Sequence, residues 1–430
     1  MEVSIKRDAY LKKLIDKREN GAIKVITGLR RSGKSYLLFD IFYNYLLSEK
    51  IPEKRIVRLA LDNEKNAALR DPDKLSEFLY SKITDQKSTF FVLLDEIQFA
   101  ISKEELKNNQ PLKIYGILNG LLSLKNVDVY VTGSNSKFLS SDISTEFRGR
   151  GDEVHVNPLS FGEFFSVYNG NKYEAWEEYS LYGGMPRLFA LKTAEEKAKY
   201  LSDLFKETYV KDIIERYNLR SDVVLDTLID VLASSIGSLN NATKIAKTFE
   251  SNGIKTSDKT VNSYIGYLED AFLIKKSQRY DIKGRKYINS PFKFYFSDIG
   301  LRNARLNFRQ QEPTHIMENV IYNELIYRGF NVDVGIVDYY PKESDNKQHR
   351  KTVEVDFVCN KASKRYYIQS AYSIPTVEKM RQEETSLDKI GDSFKKIIVT
   401  SDIAKPWQNE KGHTIINVID FLLNPASLDF

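Results

Sequence analysis

Apolar and polar positions follow two rhythms along this chain, and the points where one gives way to the other outline its elements. Residues 22–27 (Ala-Ile-Lys-Val-Ile-Thr) form a short apolar run of buried-strand type, and residues 36–42 then carry apolar side chains at helical spacing. Two further runs, 90–94 and 127–131, read as strands; the first is unbroken in its apolarity, as in a parallel strand covered on both faces. From about 165 to 217 the period is helical. Residues 224–234 and 242–249 predict two more helices, the second capped by Asn241 and stopped at Ser251-Asn252-Gly253. Ser257 or Asp258 caps a third through Val261, Tyr264, Ile265 and Leu268, and a strand-like run follows at 272–277. Residues 316–330 predict an amphipathic helix bearing Glu318 and Glu324, with extended segments at 331–335, 353–358 and 366–371.

Chemistry enters between the first strand and its helix. Gly28-Leu29-Arg30-Arg31-Ser32-Gly33-Lys34-Ser35 is a complete G-x-x-x-x-G-K-[ST] phosphate-binding loop in the strand–loop–helix setting that gives the motif meaning. Gly28 and Gly33 let the backbone wrap close to phosphate oxygens, and the loop N–H groups with the helix N-terminus supply fixed positive dipoles. Lys34 is expected to reach the β- and γ-phosphates and Ser35 to ligate Mg²⁺. Ser32 and Tyr36 are expected among the nucleotide contacts; Arg30 and Arg31 add local positive charge, unless they are ordinary solvated arginines. The strand at 90–94 ends in Asp95-Glu96, which places carboxylates at the C-terminal sheet edge, where α/β proteins bind ligands. Asp95 is the expected Mg²⁺ ligand and Glu96 the general base towards the attacking water. The strand at 127–131 runs into Thr132-Gly133-Ser134-Asn135-Ser136, whose Asn135 amide is a candidate to hold that water or the γ-phosphate.

Composition narrows the class. With 42% hydrophobic and 29% charged residues over 430 positions, the chain reads as a soluble, multi-domain globular protein. Its single cysteine, Cys359, excludes an intramolecular disulfide and suits a reducing cytoplasm. The charged start, Met1 to Lys13, does not read as a signal peptide, and no apolar stretch reaches membrane-spanning length. The four histidines are scattered and lack cysteine partners, which argues against zinc. Net charge is only +5, yet ten basic residues between Lys275 and Arg309 face only Asp281 and Asp298. That local excess suggests an anionic partner.

Taken in order, Gly-Leu-Arg-Arg-Ser-Gly-Lys-Ser (28–35), Leu-Leu-Asp-Glu-Ile-Gln (93–98), Thr-Gly-Ser-Asn-Ser (132–136), Arg-Gly-Arg (148–150), Pro-Leu-Ser-Phe (158–161) and Tyr-Gly-Gly-Met-Pro (182–186) span much of the chain. In this order the sequence resembles bacterial and archaeal AAA+-superfamily ATPases with a C-terminal domain of unknown function. The resemblance implies ATP with Mg²⁺ as the ligand, Asn135 as the sensor residue, and Arg148 or Arg150 as an arginine finger serving a neighbouring subunit of a homo-oligomer. Adenine over guanine also rests on it, since no Asn-Lys-x-Asp motif is present. Residues 1–164 are then the P-loop core with an AAA+-like parallel sheet, and 165–222 a helical lid. Arg187, after Gly183-Gly184-Met185-Pro186, is placed to touch phosphate from the lid, although a packing turn is the simpler account of that motif.

The three helices and the strand-like run that follow predict a winged helix-turn-helix over 223–308. Its third helix offers Lys259, Thr260, Asn262 and Ser263 to DNA bases, and Lys283, Arg285 and Lys286 at the hairpin turn offer phosphate contacts. Residues 309–430 resemble the restriction-endonuclease-like α/β fold, with Glu324, Asp356 and Gln369 at the positions of its metal site. The acid-x-Lys pair of such nucleases is replaced by Gln369-Ser370-Ala371, so the site is expected to be degenerate, with Lys364 and Arg365 the nearest substitutes.

Overall fold

The computed structural model describes residues 4–102, 104–105, 112–133, 150–219, 223–309, 311–340, 350–402 and 405–429. The chain divides into two compact units, Ser4–Pro158 with Asp270–Phe272, and Leu159–Glu269 with Leu273–Phe430.

The first unit opens with helix α1 (Asp8–Asp16) and is built on five parallel strands in the order β2-β3-β4-β1-β5. These are β1 (Ile23–Thr27), β2 (Ile56–Ala60), β3 (Phe90–Asp95), β4 (Val127–Thr132) and β5 (Gly151–His155). Strands β1, β3 and β4 are buried at every position, which is why their sequences are apolar runs rather than alternations. Helix α2 starts at Lys34 (Lys34–Tyr36), passes through a π-helical stretch (Leu37–Phe42) and ends as Tyr43–Ser48. Helices α3 (Pro72–Lys82) and α4 (Lys113–Ser123) bury Leu75, Leu79, Ile114 and Leu118 against Val92, Leu94 and Val129. At the N-terminal end of the strands, Lys24 of β1 is fully buried against Asp128 of β4, which also accepts from the Tyr130 hydroxyl (2.9 Å) and the Glu19 N–H (3.0 Å).

The second unit begins with α5 (Phe161–Phe165), α6 (Lys172–Tyr182) and α7 (Ala194–Asp203), which runs on through a π-helical stretch (Leu204–Val210) into Lys211–Tyr217. Ser160 and Glu163 form a reciprocal capping box, which accounts for the Pro-Leu-Ser-Phe-Gly-Glu run as a helix start. The expected helices follow as α8 (Val223–Ser234), α9 (Ala242–Ser251) and α10 (Asp258–Asp270). Asn241 caps α9 by accepting from Lys244 N (2.7 Å), and Ser257 caps α10 by accepting from Thr260 N (3.2 Å). Strands β6 (Ile274–Asp281) and β7 (Lys286–Phe296) make the hairpin, and Asn240 exchanges both backbone hydrogen bonds with Phe292 of β7 (2.8 Å each).

That hairpin does not stand alone. It continues an eight-stranded sheet, β12-β13-β11-β10-β9-β8-β6-β7, through parallel pairing of Arg279–Asp281 with Val334–Ile336. The remaining members are α11 (Ile299–Arg305), α12 (Pro313–Tyr327), β8 (Asn331–Tyr339), β9 (Lys351–Lys361), β10 (Lys364–Ala371), α13 (Val377–Asp388), β11 (Lys395–Thr400), β12 (Trp407–Gln408), β13 (Thr414–Asn417) and α14 (Val418–Leu423). Leu387 of α13 packs among Val355, Val358, Tyr367 and Ala371, while Tyr322 of α12 stacks on Tyr295 at 4.1 Å.

The Tyr-Gly-Gly-Met-Pro motif is a packing device. Gly183 ends α6 at φ +76°, and a Cβ there would stand 2.3 Å from Asp298 Oδ1. Asp298 caps α11, accepting from Leu301 N (3.0 Å), and accepts from Gly184 N as well (2.7 Å). Asn303 of α11 in turn caps the end of α6 by donating to the carbonyls of Ser180 (3.0 Å) and Leu181 (2.9 Å). Arg187 is exposed, with its guanidinium 5.6 Å from the Tyr200 ring centre.

Burial lifts the Asp298 pKa from 3.8 to about 6, against the pull of its backbone donors. The folded state therefore holds this proton more tightly than the unfolded chain, and its contribution declines as pH rises from about 4 to about 6. Relative to Asp298→Asn, the wild type should gain about 2–3 kcal/mol on going from pH 7 to pH 4. Urea unfolding of both proteins across that range measures it; a pH-independent difference contradicts the assignment.

Candidate functional site

The phosphate loop leaves β1 at Thr27 and enters α2 at Lys34. Arg31 (φ +64°) and Gly33 (φ +96°) take left-handed backbone. Gly28 is required by the protein's own chain, since a Cβ there would stand 2.2 Å from the Val156 carbonyl oxygen. Lys34 is 3% exposed, and its ammonium donates to the carbonyls of Gly28 (3.1 Å) and Leu29 (3.0 Å). Burial pulls its pKa down to about 8, although Glu96 and Asp95 pull the other way.

The interposition of β4 between β1 and β3 sets the acid pair. Asp95 closes β3 and is 4% exposed; burial raises its pKa, while hydroxyl bonds from Thr132 and Ser35 oppose the rise. Thr132, at the end of β4, donates to Asp95 Oδ1 and accepts from the Glu96 N–H (3.0 Å), so one hydroxyl ties both acids to the neighbouring strand. Glu96 takes a left-handed backbone (φ +54°), a conformation that costs a side-chain-bearing residue about 1–2 kcal/mol. Its carboxylate accepts from the Gln98 amide. Beneath the loop, the buried Arg7 donates to the Ser32 carbonyl (3.2 Å) and to the Asn157 carbonyl (2.7 Å).

Lys34, Ser35, Asp95 and Glu96 are thus brought together as the sequence suggests. The donor set suits a magnesium-bound triphosphate: a buried ammonium resting on neutral carbonyls faces a hydroxyl and a carboxylate already bonded to each other. Ser32 is fully buried and its hydroxyl donates to the Val156 carbonyl (3.1 Å), so its side chain serves the loop's own packing. Tyr36 is half-buried, with its hydroxyl 3.3 Å from Ser4 Oγ, whereas Arg30 and Arg31 are exposed. Asn135 and Arg148 lie outside the described residues. Arg150 is exposed immediately before β5, whose first residue pairs with the first residue of β1. It therefore stands at the N-terminal edge of the sheet, about 16 Å along the strand direction from its own phosphate loop. Sequence reasoning assigned no role to Thr132, Gln98 or Arg7, although the first two fall within the motifs at 132–136 and 93–98.

A second ionic cluster lies in the eight-stranded sheet. Lys293 of β7, 4% exposed, donates to Glu318 of α12 (2.9 Å), Glu354 (2.8 Å) and Asp356 (3.3 Å) of β9. The Tyr295 hydroxyl also donates to Glu318 (2.7 Å). Asp356 accepts from Ser370 N (2.9 Å), and its own N–H reaches Gln369 Oε1 (3.4 Å). Burial alone would lower the Lys293 pKa, but the three surrounding carboxylates carry it well above its ordinary value. Burial, reinforced by Asp356, lifts Glu318 to about 7 in spite of Lys293.

Asp356 and Gln369 meet here, but Glu324 does not. It lies six positions beyond Glu318, about 240° further round the helix, and pairs with Arg328 (2.7 Å) instead. Glu318, which meets Lys293, takes its place in the cluster. Lys364 and Arg365 open β10, well before Gln369 on the same strand, and the cluster's lysine comes from the hairpin. On α10, Lys259, Asn262 and Ser263 are exposed and Thr260 half-buried, and Lys283, Arg285 and Lys286 are exposed at the hairpin turn.

Lys34 and Lys293 respond differently to perturbation. With Lys34 as the triphosphate contact expected from the sequence, affinity should fall by up to about tenfold per pH unit above about 8, where its ammonium is lost. Titration with a fluorescent nucleotide at pH 7 and 9 tests this; in Lys34→Arg, which stays charged over that range, the affinity should be lower but flat. Lys293→Met strands three carboxylates and should cost about 3–5 kcal/mol of stability, seen as a lowered urea midpoint. Adding Glu318→Gln should recover part of that loss; an additive double variant refutes the coupling.

Comparison with known proteins gives this geometry a family. The AAA domain family (AAA_14) matches residues 20–165, and a domain of unknown function (DUF8612) matches residues 173–312. An uncharacterized protein of Haemophilus influenzae is 32% identical over 426 residues, covering 97% of this chain and 98% of its own length. An uncharacterized protein of Methanocaldococcus jannaschii is 28% identical over 440 residues, covering 97% of this chain and 90% of its own. Among solved structures, a Walker-type ATPase of Pyrococcus abyssi overlaps with TM-score 0.49 and 17% identity, over 70% of this chain and 96% of that one. No helix among the described residues is long and apolar enough to cross a membrane. The chain belongs to the same family as the Haemophilus influenzae protein, and its N-terminal part is a P-loop ATPase domain of the AAA type.

Proposed function

We propose that the protein is a Mg²⁺-dependent AAA+ ATPase of the cytoplasm that couples its nucleotide state to a DNA-binding C-terminal half. The observation that carries the catalytic part is Lys34, a buried ammonium held by carbonyls beside two strand-end acids. Lys34 and the loop N–H groups would hold the triphosphate and Ser35 and Asp95 would hold Mg²⁺, while Glu96 would take the proton of the water whose oxygen bonds to the γ-phosphorus as the bond to the β–γ bridging oxygen breaks. The metal, when bound, neutralises charge on the phosphoryl oxygens. Gln98 positions the Glu96 carboxylate, and Thr132 fixes the acid pair to β4. Asn135 acts as sensor. The exposure of Arg150 at the far edge of its own sheet supports a finger role, for it or Arg148, in a neighbouring subunit of a homo-oligomer.

DNA binding is supported by the order helix α8, Asn240 bridge, helices α9 and α10, then hairpin β6–β7, which is the order of a winged helix. Lys259 and Asn262 present themselves on the exposed face of α10, and Lys283, Arg285 and Lys286 on the turn. The C-terminal sheet is a restriction-endonuclease-like module without cutting activity, because Lys293 already occupies the space among Glu318, Glu354 and Asp356 that a metal would need.

ATP turnover of wild type and Glu96→Gln, each with and without duplex DNA, tests the whole reading. Glu96→Gln should lose about 10²–10⁴-fold in turnover while retaining ATP. Turnover in the wild type should change when duplex is added. An unchanged rate removes DNA from the reading and favours a switch for protein partners. Hydrolysis that survives Glu96→Gln removes the assigned base.

A further inference from the structure

A notch of about 500 Å³ opens in the second unit, lined from the β6–β7 turn, the β9–β10 turn and the loop from α13 to β11. Four cations line it, Lys283 and Arg285 from the first turn, Lys364 and Arg365 from the start of β10, against one carboxylate, Asp392. The two turns are distant in sequence and leave opposite ends of their strands, Asp281 standing level with Ile336 of β8 and Asn360 with Asn331, so the notch runs along the sheet between them.

The lining carboxylate is held by neutral donors. Asp392 is engaged by the Tyr367 hydroxyl (2.6 Å) and the Phe394 N–H (3.2 Å). The Lys283 ammonium donates to the Asp338 carbonyl (3.0 Å) and lies within electrostatic reach of the Asp338 carboxylate, which Arg350 and Thr352 also engage. Lys364 pairs with Asp429 at 3.1 Å, but both side chains are more than half exposed, so water screens the pair and a stronger anion can displace it. Arg365 is held in place: its Nε donates to Asn360 (2.7 Å) and its guanidinium lies 5.8 Å from the Tyr280 ring centre and 5.4 Å from that of Phe394. A fixed planar fork among long, adjustable lysines is the arrangement that grips phosphodiester oxygens.

We infer that this notch is a second phosphate clamp for duplex DNA, in which the β9–β10 turn joins the hairpin turn on the DNA backbone independently of α10. The inference rests on the proposal that the C-terminal half binds DNA, and adds Lys364 and Arg365 to it. The clamp reads no sequence, so it adds affinity and salt dependence but no base preference.

Fluorescence anisotropy with a labelled 30-base-pair duplex, over a salt series, tests it with the full chain. Lys364→Glu should weaken binding about tenfold near 100 mM salt and lower the slope of log affinity against log salt by about 0.9 for each phosphate no longer neutralised. Lys283→Glu with Lys364→Glu should lower it further. Lys192→Glu, the same charge change at an exposed position outside the notch, should leave binding as it was, and a common thermal midpoint excludes misfolding. If Lys364→Glu and the double variant keep wild-type affinity and slope while Lys259→Glu loses binding, the clamp is wrong and the DNA proposal stands. If the wild type binds no duplex at any salt, both are wrong. Equal loss of single-strand and inorganic polyphosphate binding in Lys364→Glu, with duplex binding intact, overturns the assignment to duplex.

Discussion

Burying an ammonium costs several kcal/mol unless something negative or strongly polar meets it, and this chain meets that demand in three different ways. Lys24 is matched one-to-one by Asp128 at the base of the ATPase sheet. Lys293 is over-matched by three carboxylates and its pKa rises. Lys34, equally buried, is bonded to two carbonyls, and its pKa falls to about 8. The first two are internally complete. The third has carbonyls for its bonds, with the carboxylates of Glu96 and Asp95 acting on it from the neighbouring strand end.

The same contrast separates the two acidic sites. At the phosphate loop, Asp95 is bonded by hydroxyls, which rotate and can share an oxygen with a metal. In the C-terminal sheet, Glu318, Glu354 and Asp356 are gripped by an ammonium on a different strand, which cannot leave without breaking the link between hairpin, α12 and β9. Asp95 is left on rotatable hydroxyls, whereas the sheet cluster uses its cation as a structural rivet.

What can be read from the sequence depends on distance along the chain. The phosphate loop is one unbroken motif flanked by apolar runs, and Asp95-Glu96 follows its strand directly, so both are legible. The helices α8, α9 and α10 are legible because their caps and periods are local. Lys293 and Glu318 sit on unlike elements, a strand and a helix well separated in sequence, and nothing in either neighbourhood announces the other. The parallel pairing of β6 with β8 joins segments with two other elements and a second strand between them and leaves no periodic signal. The hairpin therefore reads as a free wing although it is part of a larger sheet. Periodicity admits both Glu318 and Glu324 on one helix, and only the position of Lys293 decides which of them joins the cluster.

Glu96 shows how the legible and the hidden parts combine. Its place in the chain follows from an apolar strand ending in acids, but its side-chain direction follows from a left-handed backbone, and the energy to hold that backbone must come from elsewhere. Thr132 supplies part of it by accepting the Glu96 N–H, and Gln98 supplies part by gripping the carboxylate. Thr132 sits on β4, the strand inserted between the loop strand and the acid strand, so it also binds Asp95 and couples the two carboxylates. A shift of β4 by a fraction of an ångström would therefore move both acids relative to Lys34 at once. The sheet order thus ties the geometry of the acid pair to the position of β4, a dependence that no single motif in the sequence contains.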